Sequence, residues 1–315
     1  MVVARDLGSM VSAVDIAPSL QSALDHWEAV APLLRARYER LNAGGATGAE
    51  AFLPERLTAP LPRAWQWLDA SAFVSHGELM QKAFNLPPLA TDRPLMYQGM
   101  SHEFLGPTDD VPFSSEQDDI DFEGEFGVIT GPLRMGASVP EALESVRLAV
   151  QINDWSLRAV APIEMKTGFG WIQAKPACSM APLAVTLDEL GAAWAAARVQ
   201  ARLDVRRDGT LFGSVAATEM AFGFDELLAH AARTRRLCAG TILGSGTVSS
   251  RSYRETGSCC IAERRAIEMI DAGSPRTGFL KFGEVVRMEA RIEGHDAPPF
   301  GTIEQRVVSA AGETT

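Results

Sequence analysis

The chain contains 315 residues, of which 46% are hydrophobic and 22% are charged, and its formal net charge is -11. This length predicts one large or two ordinary domains, and the composition is that of a soluble globular protein with a full core. The acidic balance argues against a nucleic-acid partner, because no basic excess is available to neutralise phosphates. No apolar run reaches the roughly 18 residues of a membrane span. The N-terminus lacks the pattern of a signal peptide.

Four cysteines occur, at Cys178, Cys238, Cys259 and Cys260. They show neither Cys-x-x-Cys spacing nor a disulfide framework. A disulfide between the adjacent pair would be strained. We therefore expect reduced cysteines and a cytoplasmic location.

The N-terminal part is predicted to be a small helical domain. Apolar spacing predicts a helix from about Ser19, with a kink or restart at Pro32. Residues 44–63 are rich in Gly, Ala and Pro, which is typical of a linker. We expect a small N-terminal domain with its linker over residues 1–59 and a catalytic domain over 60–315.

An aromatic-rich run over residues 65–76 contains two isolated polar groups, Asp69 and His76. One interpretation is a helix cap and a surface histidine. The other is a carboxylate ligand and a general base carried on one segment, because histidine is the usual general base near neutral pH. The run alone leaves both open.

The stretch 121–129 alternates with the period of a β-strand, and Glu123 and Glu125 share one parity. Their Cα atoms are then roughly 6.5–7 Å apart. Carboxylates about 5 Å apart repel by on the order of 3 kcal/mol at an effective dielectric of about 20. A solvated acidic strand tolerates this, and the acidic run at 118–121 favours that interpretation. In a cleft the pair demands a proton or a cation such as Mg²⁺, Ca²⁺ or Mn²⁺.

A capping-box spacing at Ser138 predicts a helix to about Arg147, and residues 148–152 are typical of a buried strand. Asp154 follows that strand, with Arg158 four residues on. The two are interpreted either as a structural ion pair or as a metal ligand beside a substrate clamp.

Two further polar residues are ambiguous from their local sequence. Tyr97 is either a core tyrosine or a hydrogen-bond donor to a substrate. Lys175, a lone lysine, is most simply a solvated side chain.

From about residue 186 the pattern is typical of a scaffold. Alternation over 199–206 and the Asp208-Gly209 turn predict a hairpin, a helix is expected over 225–237, and several strands over 279–308. The Gly244–Thr247 run lacks a third glycine at Rossmann spacing and a Gly-Lys-Ser/Thr sequence. We therefore expect no nucleotide there.

Several of these residues follow one another in a fixed order: Asp69 with His76 seven residues later, Glu123-Gly124-Glu125, Asn153-Asp154-Trp155-Ser156-Leu157-Arg158, Lys175, and Gly246-Thr247. From about residue 60 to the C-terminus, this order resembles the fumarylacetoacetate hydrolase family. The paired glutamates alone are weak evidence. Their combination with the Asn-Asp-Trp-Ser-x-Arg run is strong evidence.

The resemblance implies roles for ten residues. Four carboxylates would bind one divalent cation, Mg²⁺ or Ca²⁺ with Mn²⁺ as a further option: Asp69, Glu123, Glu125 and Asp154. His76 would activate the attacking water, and Glu263 is the candidate for the glutamate that orients it. Substrate oxygens would be held and its pocket lined by Lys175, Arg158, Tyr97 and Thr247.

The family fold is α+β and mostly β, a mixed β-sandwich roll behind a small N-terminal domain, usually in a homodimer. The resemblance implies hydrolysis of a carbon–carbon bond in a small anionic β-diketo acid, such as fumarylacetoacetate or an acylpyruvate. The alternative is a 2-oxo acid hydratase, isomerase or decarboxylase on the same metal site. A non-catalytic protein with an inherited pocket is a third hypothesis.

Several positions depart from the family pattern. Ser71 stands where fumarylacetoacetases have a substrate-contacting tyrosine, and Ala161 where they have a glutamine. Glu263 lies two residues later than the orienting glutamate, and Lys82 or Arg93 would stand in for a further substrate arginine. The predicted metal ligands match the pattern, so these departures concern substrate identity.

Overall fold

The computed structural model describes residues 1–85 and 93–312 of the chain. Most of the regular structure consists of short strands. In chain order they are β1 Val2–Val3, β2 Ser9–Val11, β3 Glu50–Ala51, β4 Gln66–Ala70, β5 Met96–Gly99, β6 Phe104–Leu105, β7 Val111–Phe113, β8 Ile120–Asp121, β9 Gly124–Thr130, β10 Val146–Asn153, β11 Ser156–Leu157, β12 Cys178–Met180, β13 Val185–Thr186, β14 Trp194–Ala195, β15 Arg198–Val199, β16 Arg202–Arg207, β17 Thr210–Ala216, β18 Thr241–Gly244, β19 Val285–Arg291 and β20 Thr302–Ser309.

The helices lie between these strands along the chain. In chain order they are α1 Leu20–Asp25, α2 Trp27–Asn42, α3 Val74–Phe84, α4 Val139–Ser145, α5 Ala161–Thr167, α6 Phe224–Ala231, α7 Tyr253–Thr256 and α8 Ile261–Ala272. Short 3₁₀ helices lie at Pro54–Arg56, Glu116–Asp118, Leu187–Ala193 and Ala310–Gly312.

Two sheets form the main body. The larger has the strand order β5-β4-β18-β9-β10-β12-β6, with β13 also paired to β10, and the smaller has the order β17-β16-β19-β20-β7. Most neighbouring strands are antiparallel, whereas the pairs β4–β18, β6–β12 and β7–β20 are parallel. A separate sheet, β1-β2-β3, lies in the N-terminal region. The predicted mixed, sheet-rich α+β fold with a small N-terminal domain is confirmed.

The main core holds the inner strand β9 in place. Phe122 contacts Phe212 with ring centroids 5.2 Å apart, and Phe126 contacts Phe300 at 5.8 Å. Leu203 of the smaller sheet is fully buried in the same cluster. Burying side chains of this size contributes about 1.5–3 kcal/mol each. The strand that carries Glu125, and the segment with Glu123 that precedes it, are thus fixed by the core behind them.

The N-terminal region has a small core of its own, formed by Ala4, Val11 and Leu41. Leu24 of α1 belongs instead to a second large cluster that includes Trp67 of β4. The N-terminal helices are therefore anchored on the larger sheet.

The N-terminal helical segment breaks at His26 rather than at Pro32. The hydroxyl of Ser19 caps α1 by accepting the backbone N–H of Ser22, and His26 leaves helical geometry at φ -125° and ψ 32°. Pro32 lies inside α2, where its ring nitrogen cannot donate one backbone hydrogen bond. The predicted restart at Pro32 was wrong, because α2 begins at Trp27, and a kink at Pro32 stays a prediction.

The acidic stretch forms two strands, not one continuous strand. β8 ends at Asp121 and β9 begins at Gly124. Between them, the backbone N–H of Glu123 donates to Oδ1 of Asn153 at 3.0 Å, and the Asp154 N–H donates to the Glu123 carbonyl at 2.9 Å. These bonds join the interruption to the end of β10, which Asp154 follows directly.

Two predicted helices are shorter than expected. α4 ends at Ser145, because Arg147 already belongs to β10, and α6 ends at Ala231. Beyond α6 the chain pairs with another loop, the Leu237 N–H donating to the Leu133 carbonyl at 2.9 Å. The longest helix among the described residues, α2, has 16 residues. Within the part of the chain that the structure describes, no helix has the length and apolar character needed to cross a bilayer.

Candidate active site

Three buried carboxylates meet on the larger sheet. Asp69 lies in β4, Glu125 lies in β9, and Asp154 follows β10 directly. Each offers one oxygen, and these three oxygens lie within 4.8 Å of one another. We call these three residues the carboxylate cluster.

Two glycines allow the cluster to form. Gly244 of β18 pairs in register with Asp69, and a Cβ there would lie 2.5 Å from Oδ1 of Asp69 and 2.9 Å from Oε2 of Glu125. Gly246, at φ +77°, donates its N–H to the same Oδ1 at 3.1 Å. The glycine run that lacks a nucleotide signature therefore lies directly against the carboxylates.

The donor set of the cluster fits a divalent cation. Both buried oxygens of Glu125 lack a hydrogen-bond partner among the described residues. Burial raises the pKa of Asp69 and of Glu125 well above their ordinary values. The nearby charge of Asp154 raises the pKa of Asp69 further, and the nearby charge of Asp69 does the same to Glu125. Ions such as Mg²⁺, Ca²⁺ and Mn²⁺ take oxygen ligands of this kind.

Lys175 borders the cluster as a buried cation. Its Nζ donates to Oδ2 of Asp154 at 2.6 Å and to Oε2 of Glu123 at 2.9 Å. Burial disfavours the ammonium, but the charges of Asp154 and Glu123 outweigh it and raise the pKa of Lys175 above its ordinary value. The Tyr97 ring lies 5.5 Å from Nζ, and its hydroxyl donates to Asp154 at 2.7 Å. Lys175 is therefore a charged donor in a buried polar site, not a solvated side chain.

Glu123 faces cations instead of the carboxylate cluster. One oxygen accepts from Lys175 and the other from Arg158. Burial alone would raise the pKa of Glu123, but these two positive charges outweigh it and lower the pKa. The two glutamates of the Glu-Gly-Glu motif thus have different partners, and Glu123 as a fourth metal ligand stays a prediction.

Arg158 connects this site to the start of α8 through Asp121. The Arg158 Nε donates to Oδ2 of Asp121 at 2.8 Å. Asp121 also accepts the backbone N–H of Ile261 at 2.7 Å and that of Ala262 at 2.9 Å. A carboxylate at a helix N-terminus satisfies unpaired N–H groups and opposes the helix dipole. Asp121 therefore fixes Arg158 relative to α8.

His76 and Glu263 form a hydrogen-bonded pair between two helices. His76 lies in α3 and Glu263 in the first turn of α8, and Nδ1 lies 3.0 Å from Oε1. The Glu263 side chain is 1% exposed and that of His76 is 21% exposed. A buried carboxylate on Nδ1 fixes the imidazole orientation, which is the arrangement of a general base with its orienting group.

The remaining predicted or divergent positions have varied settings. Thr247 is buried, next to the glycine that contacts Asp69. Ser71 is exposed and Ala161 is buried at the start of α5. Lys82 and Arg93 are both exposed. None of these settings decides a role.

Asp121 is a site residue that sequence reasoning assigned to a solvated acidic run. The structure buries it completely. It shares the parity of Glu123 and Glu125, being two and four residues before them. That parity was a usable signal, but its helix partners lie about 140 residues away, as the Ile261 bond shows with a separation of 140.

Two other residues at the site carried no sequence signal. The Cys178 thiol donates to Oδ1 of Asp154 at 3.0 Å. The Trp171 ring packs edge-on against Tyr97 with centroids 4.7 Å apart. Both are brought in by chain segments around Lys175, which the sequence pattern could not place.

Two protein-family models match this chain. The model described as Fumarylacetoacetate (FAA) hydrolase C-terminal matches residues 66–308, and the model described as Fumarylacetoacetase N-terminal domain 2 matches residues 1–63. The chain belongs to the fumarylacetoacetate hydrolase family. The resemblance inferred from the order of the site residues is thereby confirmed. No curated protein matches the chain.

Solved structures share the fold of this fumarylacetoacetate hydrolase family member. A probable 2-hydroxyhepta-2,4-diene-1,7-dioate isomerase from Mycobacterium abscessus has 18% identity and a TM-score of 0.67, over 99% of this chain and 95% of that one. A 5-carboxymethyl-2-hydroxymuconate delta-isomerase from Mycobacterium smegmatis has 18% identity and a TM-score of 0.55, over 81% and 82%. A fumarylpyruvate hydrolase from Pseudomonas aeruginosa, in complex with Mn²⁺ and pyruvate, has 15% identity and a TM-score of 0.55, over 78% and 90%.

At these identities the likeness shows the fold. Membership of the fumarylacetoacetate hydrolase family makes the chain an enzyme of that superfamily. The structural neighbours include isomerases as well as a hydrolase. The reaction must therefore be argued from the site and not from the fold.

Proposed function

We propose that this protein is a divalent-metal-dependent hydrolase that cleaves a carbon–carbon bond in a β-diketo acid, of the fumarylacetoacetate or acylpyruvate type. The observation that carries the proposal is the His76–Glu263 pair, 3.0 Å apart. Glu123 links it to the carboxylate cluster, because the charge of His76 lowers the pKa of Glu123 and Glu123 shares the Lys175 ammonium with Asp154. A hydrolase needs a base for water, and this pair supplies one.

Asp69, Glu125 and Asp154 would hold one divalent ion, Mg²⁺, Ca²⁺ or Mn²⁺, with Glu123 as the proposed fourth ligand. Bound there, the ion would act as a Lewis acid on the dicarbonyl oxygens of the substrate. Support comes from the unpartnered oxygens of Glu125. The Mn²⁺ complex of the fumarylpyruvate hydrolase is consistent with this.

His76 acts twice in the proposed reaction. With its Nδ1–H donated to Glu263, the lone pair on Nε2 accepts a proton from the attacking water, and the Glu263 carboxylate stabilises the imidazolium. The water oxygen bonds to the carbonyl carbon, the adjacent carbon–carbon bond breaks, and the departing carbanion takes the proton back from His76. Base and acid roles for one histidine follow from the order of these transfers.

Lys175 and Arg158 would bind the anionic substrate. Both are donors with fixed geometry, because each is paired with two buried carboxylates. Lys175 would hydrogen-bond the oxygen on which charge builds, as preorganised donors do. Tyr97 and Thr247 would line the pocket for the substrate's carboxylate or carbonyl.

An isomerase, hydratase or decarboxylase is the second candidate. It is favoured by Ser71 and Ala161, which replace two residues of the fumarylacetoacetase pattern, and by the two isomerases among the structural neighbours. Isomerisation and decarboxylation do not activate water and do not require the His76–Glu263 pair, whereas hydration, like hydrolysis, does. The presence of that pair ranks hydrolysis first.

Product analysis separates the two candidates. Metal-loaded enzyme is incubated with fumarylpyruvate and with fumarylacetoacetate, and the products are identified by NMR. Hydrolysis gives two acids from each substrate, and His76→Ala should reduce their formation by about 10²–10⁴-fold. An isomer of unchanged mass, a single product that has gained one water without cleavage, or release of CO₂ would replace the hydrolase proposal with the second candidate.

A further inference from the structure

A second group of potential ligands lies beside Glu123, to which Cys260 is bridged, and differs from the carboxylate cluster in chemistry. It consists of His76, Cys260 and Glu263, which offer a nitrogen, a sulfur and an oxygen. We propose that these three residues form a binding site for a thiophilic divalent ion, Zn²⁺, and that the ion occupying it inhibits the enzyme by capturing the His76–Glu263 pair.

The spacing of the three ligand atoms suits a tetrahedral ion. All lie within 4.8 Å of one another, and Nδ1 of His76 is 3.0 Å from Oε1 of Glu263. With Zn–S near 2.3 Å and Zn–N and Zn–O near 2.0–2.2 Å, tetrahedral ligand atoms lie roughly 3.3–3.7 Å apart. The observed separation of 3.0 Å and the upper limit of 4.8 Å lie on either side of that range, so side-chain shifts of about 1 Å are enough to complete the site.

Two of the ligands are held rigidly at the start of α8. Cys260 is the residue before the helix, and its Sγ accepts the backbone N–H of Glu263 at 3.4 Å. Cys260 also forms a β-bridge with Glu123, and it is fully buried. His76 comes from α3 and is partly exposed, so an ion can reach the site from its side.

The donor types separate this site from the carboxylate cluster. Mg²⁺ and Ca²⁺ prefer oxygen and leave thiolate and imidazole unused, whereas Zn²⁺ binds sulfur, nitrogen and carboxylate oxygen together. Three protein ligands leave a fourth position for water or a small ligand. The Gly257-Ser258-Cys259-Cys260 run, in which the chain departs from the family pattern, supplies the sulfur.

Binding changes the histidine in a defined way. The ion takes the place of the proton between Nδ1 and Glu263, and the Cys260 thiol loses its proton; both protons go to solvent. Glu263 then neutralises the ion and no longer stabilises an imidazolium. The loss of turnover rests on the proposed function, in which His76 is the base; the binding itself does not.

Cobalt provides a direct test of binding, because Co²⁺ replaces Zn²⁺ in such sites and a thiolate–cobalt bond gives a charge-transfer band in the near ultraviolet. The full chain is saturated with Mg²⁺ and titrated with Co²⁺. The band is expected at one equivalent in the native protein, in Cys238→Ser and in Cys178→Ser. It should be absent in Cys260→Ser, whose hydroxyl can still accept the Glu263 N–H.

Three outcomes overturn the site. They are no band in the native protein, a band that survives Cys260→Ser, and a band lost in Cys178→Ser, which would place the thiolate beside Asp154. Melting temperatures of all variants are compared first. His76→Ala, which keeps the thiol, should weaken Co²⁺ binding at least tenfold and decides the question if Cys260→Ser is unfolded.

Inhibition is measured separately, on the reaction that product analysis establishes. In excess Mg²⁺, about one equivalent of Zn²⁺ should remove most of the native turnover, and Cys260→Ser should need at least tenfold more Zn²⁺ for the same fractional loss. Equal sensitivity of the two proteins would overturn inhibition through this site. If no turnover is found at all, the proposed function fails while the cobalt band still decides whether the site exists.

Discussion

The two glutamates of the Glu-Gly-Glu motif lie two residues apart yet have opposite electrostatic settings. Glu123 is paired with Lys175 and Arg158, whereas the buried oxygens of Glu125 have no hydrogen-bond partner among the described residues. A buried charge without a partner is strongly unfavourable. Glu125 is therefore the residue at which a bound cation would matter most.

Glu125→Gln tests this directly. Without metal and at alkaline pH, where Glu125 is ionised despite its raised pKa, a neutral amide that can donate to Asp69 removes carboxylate repulsion, so the melting temperature should rise by roughly 2–4 °C, equivalent to about 1 kcal/mol. With Mg²⁺ or Mn²⁺, the native protein should gain stability and the variant should not. Glu293→Gln, an exposed site, is the matched control. A variant that binds the ion as tightly as the native chain would remove Glu125 from the ligand set.

Glu263→Gln tests the positioning of His76. The amide oxygen can still accept from Nδ1, but it carries no charge to stabilise an imidazolium, so kcat should fall by about 10²-fold. The affinity for Mg²⁺ or Mn²⁺ at the carboxylate cluster, measured by calorimetry, should stay unchanged. Glu268→Gln on the same helix serves as the control and should keep the native kcat. Equal rates in the two variants would contradict the pairing role.

At the scale of single residues, the sequence predicted which residues belong to the site better than it predicted which side chains they contact. Strand parity placed Glu123 and Glu125 on one side, but parity cannot show that Lys175 and Arg158 approach only one of them. Lys175 had no local signal, since its partners lie 52 and 21 residues away. Only the family resemblance pointed to it.

Among the secondary-structure elements, β18 decides whether the carboxylate cluster can form. It lies between β4 and β9, and its Gly244 leaves space for Asp69 on one side and Glu125 on the other. A side chain there would meet the Trp67 ring at 2.4 Å as well. The absence of a Cβ is thus a requirement of the site and not of the strand.

Gly244→Ala should therefore destabilise the fold by about 1–3 kcal/mol through overpacking. It should also weaken metal binding, because Asp69 must move away from the added methyl group. Urea unfolding and metal titration measure the two effects. Gly278→Ala is the control, since nothing lies within 4 Å of its added Cβ. Native metal affinity in Gly244→Ala would contradict the requirement for this glycine.

Elements with strong local signals were predicted well, and those set by distant contacts were not. The capping box at Ser138 and the turn at Asp208-Gly209 lie where their local patterns placed them. The break at His26 and the interruption at Glu123 depend on packing and on bonds to Asn153. A local pattern carries no information on such bonds.

For the molecule as a whole, one exposed apolar surface remains beside the active site. Phe169 is 98% exposed and Ile172 is 83% exposed, and Trp171 between them contacts Tyr97. Ile163 and Met165 of α5 are exposed as well. Exposed apolar side chains mark interaction surfaces where they are contiguous, and these four lie within ten residues of one another along the chain.

We expect this surface to form the interface of the proposed homodimer. Phe169→Asp should place a charge in it and shift the protein toward monomer at micromolar concentration. Sedimentation equilibrium measures the change. Val14→Asp, at a residue that is 67% exposed elsewhere, is the control. A native protein that is monomeric, or a dimer unaffected by Phe169→Asp, would exclude this interface.

The overall architecture was within reach of the sequence only because the order of site residues resembles a family. Alternation and turns predicted individual strands, but they could not pair β4 with β18 in parallel across more than 170 residues, as Thr241 opposite Gln66 requires. Long-range pairing depends on the whole core, which no local window contains.

The central claim is that one divalent ion on the carboxylate cluster supports cleavage of a diketo acid. The most direct test treats the purified enzyme with chelator, adds back Mn²⁺ in substoichiometric steps, and follows the loss of diketone absorbance of an acylpyruvate at each step. The account predicts no turnover in the chelated protein, a linear rise, and saturation at one ion per chain, with no recovery in Glu125→Gln. Full turnover without metal, or equal recovery in Glu125→Gln, would contradict it.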